Sequence, residues 1–159
     1  MKTQNKNVFN ETQKFHPLIF VILFVVNLAL VLYLYDRLIV LDKEAIVSIV
    51  PSILVTLLFL LAKLTTRITD EGIAFKYFPF FINKKINLSD VSALEVRKNS
   101  NVKQLITGYG IRLTEDGWLY NTRGNDFLEI KLNNGKTIKL GTQKAGELEK
   151  VIDNLTLDK

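Results

Sequence analysis

The 159 residues carry 21 Lys plus Arg against 16 Asp plus Glu, a formal charge of +5, with one histidine and no cysteine. That inventory offers no metal-spaced His/Cys cluster, no thiol or histidine-based nucleophile constellation and no phosphate-cradling Gly-rich loop, so an enzyme is not the expected class. The basic excess is mild; it would suit a surface facing anionic lipid, but the lack of any block of five like charges favours a plain positively charged flank.

Residues 1–16 form an N-terminal segment bearing Lys2, Lys6 and Lys14. Two uncharged runs follow, Pro17 to Tyr35 and Ala45 to Ala62, 19 and 18 residues long, separated by the nine residues Asp36 to Glu44. At about 1.5 Å per residue each run reaches roughly 27 to 29 Å as a helix, close to the ~30 Å hydrocarbon core of a bilayer. The expectation is a transmembrane helical hairpin over 17–64, with helices at about 17–36 and 45–64. Lysine and arginine are richer on both outer flanks than in the connecting loop, so both termini are expected in the cytoplasm of a multi-pass cytoplasmic (inner) membrane protein.

Within the hairpin the polar residues are Asn27, Ser48, Ser52 and Thr56. The last three recur every four residues and share a face on which helices pack closely, and Asn27 has that face or a second copy of the chain within its reach. They are the candidate helix-packing residues. Pro51 is a site for a slight kink. Neither run contains Asp, Glu, Lys, Arg or His, which argues against an ion or proton path. His16 falls at the water boundary.

From Thr65 to Leu140 the hydrophobic period becomes two. Ile73, Phe75 and Tyr77 alternate with Ala74 and Lys76, Leu94 and Val96 flank Glu95, and Leu128, Ile130 and Leu132 alternate with Glu129 and Lys131. Asp70-Glu71-Gly72, Glu115-Asp116-Gly117 and Asn133-Asn134-Gly135 are tight-turn signals. About seven antiparallel strands that roll into one barrel are expected. Trp118 and Tyr120 belong in its wall, with Trp118 partly exposed beside its turn. Leu148, Val151, Ile152 and Leu155 then mark an amphipathic C-terminal helix, with Thr142 as its expected N-cap.

Residues 65–159 form the expected C-terminal domain. Phe78-Pro79-Phe80, Lys85-Ile86-Asn87-Leu88-Ser89-Asp90-Val91, Gly108-Tyr109-Gly110-Ile111-Arg112, Tyr120-Asn121, Gly124-Asn125 and Lys139-Leu140-Gly141-Thr142-Gln143 appear there in order. This series resembles the bacterial pleckstrin-homology (PH)-like domain family, in the form that small two-helix membrane proteins carry at the C-terminus. The chain departs from the usual pattern at Leu88, where the family often has Trp, and at Thr107-Gly108-Tyr109, where Gly-Gly-Trp is common. The resemblance implies an α+β protein whose antiparallel β-barrel is capped by a C-terminal helix, and a domain that binds or scaffolds.

Phe80, Phe81, Lys84 and Lys85 form a candidate lipid or partner surface, an aromatic and basic turn suited to the headgroup layer. In the simpler alternative, the phenylalanines fill the barrel and the lysines solvate a turn. Arg112 is a further candidate, for a buried carboxylate or an acidic partner group. Two functions follow: a membrane-anchored binding or scaffolding module, or a structural subunit that associates laterally through its helices. Expected partners are integral membrane lipid, then a protein or an anionic lipid headgroup, with a homo-oligomer in the second reading. No cofactor and no nucleic acid is expected, since the domain is tethered beside a membrane.

Overall fold

The computed structural model describes residues 7–98 and 109–157. The chain forms two compact units, one of Phe15–Ala62 and one that joins Met1–Lys14 to Lys63–Lys159.

The smaller unit is helical. Pro17 opens α1 (Pro17–Tyr33), a position where proline's missing N–H is no loss, and the His16 imidazole Nδ1 accepts from the Leu18 N–H at 3.1 Å. Leu34 leaves helical geometry, and α2 (Tyr35–Ile39) is a separate short piece. The Asp42 carboxylate accepts from the Glu44 N–H at 3.1 Å, which starts α3 (Lys43–Leu61) two residues before the apolar run begins. Arg37 bridges Asp42 and Glu44 at 2.6 and 2.7 Å, closing the connection between the helices. No residue of α1 and only Ala45 of α3 is buried, so both helices present apolar side chains on nearly every face. Of the two, α3 is long and apolar enough to cross a membrane. The break at Leu34 leaves α1 shorter, at 17 residues, the lower end of the spanning range.

The larger unit holds two sheets. β1 (Asn7–Lys14), β2 (Lys63–Thr69), β3 (Gly72–Phe78) and β4 (Ile82–Asn87) pair antiparallel in sequence order. After a single 3-10 turn come β5 (Val91–Arg97), β6 (Gly110–Thr114), β7 (Gly117–Asn121), β8 (Asp126–Leu132) and β9 (Thr137–Thr142), ordered β5-β8-β9-β7-β6. Helix α4 (Ala145–Leu157) follows. Leu64, Ile68, Ile73, Phe75 and Tyr77 of the first sheet share one core with Tyr120, Leu128, Ile130 and Leu140 of the second and with Leu148, Val151 and Ile152 of α4. Each such side chain contributes roughly 1.5 to 3 kcal/mol by leaving water.

The α+β class, the antiparallel pairing and the terminal amphipathic helix agree with the sequence reading, but the single barrel does not. Nine strands are present among the described residues, in two separate sheets, because β4 and β5 are joined by a turn and do not pair. β7 and β9 run parallel, the exception to the antiparallel rule. The segment before the helices holds a strand, β1, where the hydrophobic pattern predicts no element. Thr142 ends β9 and does not cap α4: its hydroxyl accepts from the Lys144 N–H at 3.0 Å, one residue before the helix begins. The second helix ends at Leu61, short of the expected 64, because Lys63 and Leu64 enter β2.

Candidate functional site

The β3–β4 connection is a tight aromatic turn. Phe78, Phe80 and Phe81 are 41%, 49% and 90% exposed, so these rings do not fill a barrel. Phe75 and Tyr77 take the core positions instead, since alternation along β3 turns those two inward and Phe78 outward. The Phe78–Pro79 peptide bond is cis, and Phe81 has a φ of +55°, a left-handed conformation that throws its ring clear of the sheet. Phe80 stacks on Tyr77 at 5.3 Å, Phe81 meets Phe78 edge-on at 6.4 Å, and the Lys63 ammonium lies 5.7 Å from the centre of the Phe78 ring.

Lys84 and Lys85 do not join that turn. Lys84 Nζ lies 3.3 Å from the Tyr120 hydroxyl and 5.7 Å from its ring centre, whereas Lys85 points to the other face toward Glu71, at 3.9 Å. Both line an open cleft of about 860 Å³ with Trp118, Leu113 and Lys136. At the rim of this cleft the Lys139 ammonium, 2.8 Å away, holds the Asp116 carboxyl below the usual carboxylate range. Arg112 lies on β6 in the second sheet, and burial lowers the pKa of its guanidinium. None of the ion pairs among the described residues includes it, so the expected carboxylate partner is not found there. Thr107 and Gly108 of the motif before it lie outside the described residues.

The hairpin residues divide as well. The Asn27 side-chain amide donates to Thr56 Oγ1 at 2.9 Å and to the Leu23 carbonyl at 2.7 Å, while its carbonyl accepts from the Ser52 hydroxyl at 3.1 Å. Asn27, Ser52 and Thr56 thus tie α1 to α3 within one chain. Ser48 stands apart, exposed and bonded to the Glu44 carbonyl of its own helix at 2.8 Å.

No known protein family, no curated protein and no solved structure matches the chain.

A further polar cluster was not foreseen from sequence. The Glu11 carboxylate on β1 accepts from the Thr142 hydroxyl and from the Gln143 N–H, both at 2.7 Å, and Gln13 donates to the Gly141 carbonyl. Glu11 and Gln13 are 6% and 1% exposed. They clasp the N-terminal strand to the end of β9. The available signal was the alternation of Phe9, Glu11 and Gln13 with Asn10, Thr12 and Lys14, a strand period written mostly in polar letters. Chemically, the Phe78–Phe81 turn with Lys63 offers apolar and cationic contact. Among the described residues, no group of three or more His, Cys, Asp or Glu side chains is placed to hold a metal ion.

Proposed function

We propose that this chain is a membrane-anchored, non-enzymatic module in which a two-pass helical hairpin fixes a PH-like binding or scaffolding domain at the cytoplasmic face of the inner membrane. One observation carries the reading: β1, which precedes the helices, pairs with β2, which follows them, and Lys14 stands opposite Lys63. Strands hydrogen-bond only when their backbones lie about 4.8 Å apart, so they cannot pair across a bilayer. The apolar segment therefore starts and finishes on one side, and any crossing by α3 needs a return crossing. Helix α1 supplies the return, since its 17 residues extend about 26 Å and the bilayer thins locally to meet a short span.

The PH-like assignment draws support from the order of elements, antiparallel strands closed by an amphipathic helix. Anchoring suits a binding module because a weak contact at a surface acts at high effective concentration. The lateral-subunit reading is less well supported, because Asn27, Ser52 and Thr56 already satisfy one another inside the chain.

The chain has no cysteine, so single introduced thiols report cleanly on topology. In spheroplasts and inverted vesicles, Thr12→Cys and Asn134→Cys are expected to react with an impermeant maleimide from the cytoplasmic side, and Leu41→Cys from the opposite side. Labelling of Leu41→Cys from the same side as Asn134→Cys overturns the proposal.

A further inference from the structure

We infer that the Phe78–Phe81 turn inserts into the interfacial layer of the bilayer, with Lys63 and Lys14 beside it facing anionic headgroups. The inference rests on the spanning reading above and names the ligand of the domain as the membrane itself.

Connectivity and register place the turn. Only Ala62 separates the end of α3 from β2, whose first residue, Lys63, pairs with Phe78 on one side and with Lys14 on the other. A helix that crosses the hydrocarbon core delivers its next residue to the interface. Phe78 is one strand spacing from Lys63, about 5 Å, and three more residues add at most roughly 10 Å. Phe81 is thus held within about 15 Å of the point where α3 leaves the hydrocarbon, near a headgroup layer some 5 to 8 Å deep on each side.

Chemistry selects the occupant. Phe75, Tyr77 and Tyr120 are buried, whereas the three phenylalanines within Phe78–Phe81 gather their exposed rings at one turn, with Phe81 the most exposed large hydrophobic residue among those described. The left-handed backbone at Phe81 is unfavourable for a residue with a β-carbon, and here it serves to project a phenyl ring. From Gly72 to Ser89 the hairpin has Lys76, Lys84 and Lys85 and no carboxylate, while Lys63, paired with Phe78 beside the turn, and Lys14 next to it are exposed. Apolar rings that enter the acyl boundary below lysines on phosphate form the pattern of an interfacial anchor. A second contact of this kind restrains how the domain turns about its two tethers.

Depth-dependent fluorescence quenching tests it. The full chain, with Trp118→Phe to remove its one tryptophan, is reconstituted in phosphatidylglycerol/phosphatidylcholine vesicles that contain lipid brominated high on the acyl chain. Three exposed positions are compared: Phe81→Trp, Asp70→Trp at the opposite end of β2, and Leu28→Trp in α1, the last with lipid brominated deep in the chain. The expected result is emission from Phe81→Trp quenched at least twofold more than that from Asp70→Trp, with Leu28→Trp quenched as well. Equal quenching of Phe81→Trp and Asp70→Trp, with Leu28→Trp still quenched, overturns the inference and leaves the hairpin standing. No quenching at Leu28→Trp overturns both.

Discussion

Replacing Glu11 with alanine tests whether the N-terminal strand is an integral part of the larger unit. The carboxylate is buried and accepts two hydrogen bonds at 2.7 Å, from the Thr142 hydroxyl and the Gln143 N–H. Removing it strands both donors, and each loses about 1 to 3 kcal/mol where water does not reach it. Thr142 can rotate its hydroxyl toward another acceptor, so the lower half of that range applies, and the expected loss is about 2 to 4 kcal/mol. For a unit of this size such a loss lowers the melting temperature by on the order of 10 °C. The assay is denaturant unfolding of the full chain in mild detergent, followed by Trp118 emission, with Glu11→Gln as a second variant that keeps one acceptor and loses less. A Glu11→Ala midpoint within about 0.5 kcal/mol of the parent refutes the clasp, because that is the size of an ordinary surface substitution. A Glu11→Ala, Thr142→Ala double-mutant cycle should give a coupling of about 1 kcal/mol or more.

Asn27→Leu removes two hydrogen bonds between α1 and α3, each contributing about 0.6 kcal/mol in a membrane setting, so titration into a denaturing detergent should show a loss of about 1 kcal/mol. The particle size in mild detergent should not change, since those bonds lie within one chain. Burial pushes the Tyr77 phenol up to about 12, so ultraviolet titration should find one of the five tyrosines ionising last, and Tyr77→Phe should remove that step. The raised value means the folded state holds its proton more tightly than the unfolded one. The associated stability is complete below about pH 10 and is lost as pH rises toward 12.

The parts of the fold visible in sequence are those in which one face is greasy and the other is not. All three Gly-ended turn signals lie at real turns: Thr69 Oγ1 accepts from the Glu71 and Gly72 N–H groups, Gly135 closes β8 to β9, and Gly117 has a φ of +136° where an added Cβ would lie 2.0 Å from the Thr137 carbonyl oxygen. The stripe of α4 is equally plain, with Leu148, Val151 and Ile152 buried. β1 was illegible because its inward positions include Glu11 and Gln13, whose partners lie more than a hundred residues away, and no local pattern encodes them. Strand order was also beyond the pattern, since alternation tells which face a residue takes and nothing about its neighbour strand. For the candidate surface, the structure separates side chains that lie close together in sequence. Lys84 and Lys85 point to opposite faces of β4, as period two requires, and only the register shows that Lys63 is the cation beside the phenylalanines.

The pairing of β1 with β2 also makes the helical unit, in the grammar of the sheet, a very long hairpin loop. Lys14 and Lys63 face each other as the last pair of a two-stranded ladder, and Phe15–Ala62 is inserted where two turn residues would ordinarily suffice. Exchanging that insertion for an Asn-Gly turn would join the strands without altering any pair in either sheet. The helical unit is in this sense removable, and the proposed anchoring role predicts a water-soluble form of the domain on shortening one loop, retaining the N-terminal strand that a simple truncation at residue 65 discards.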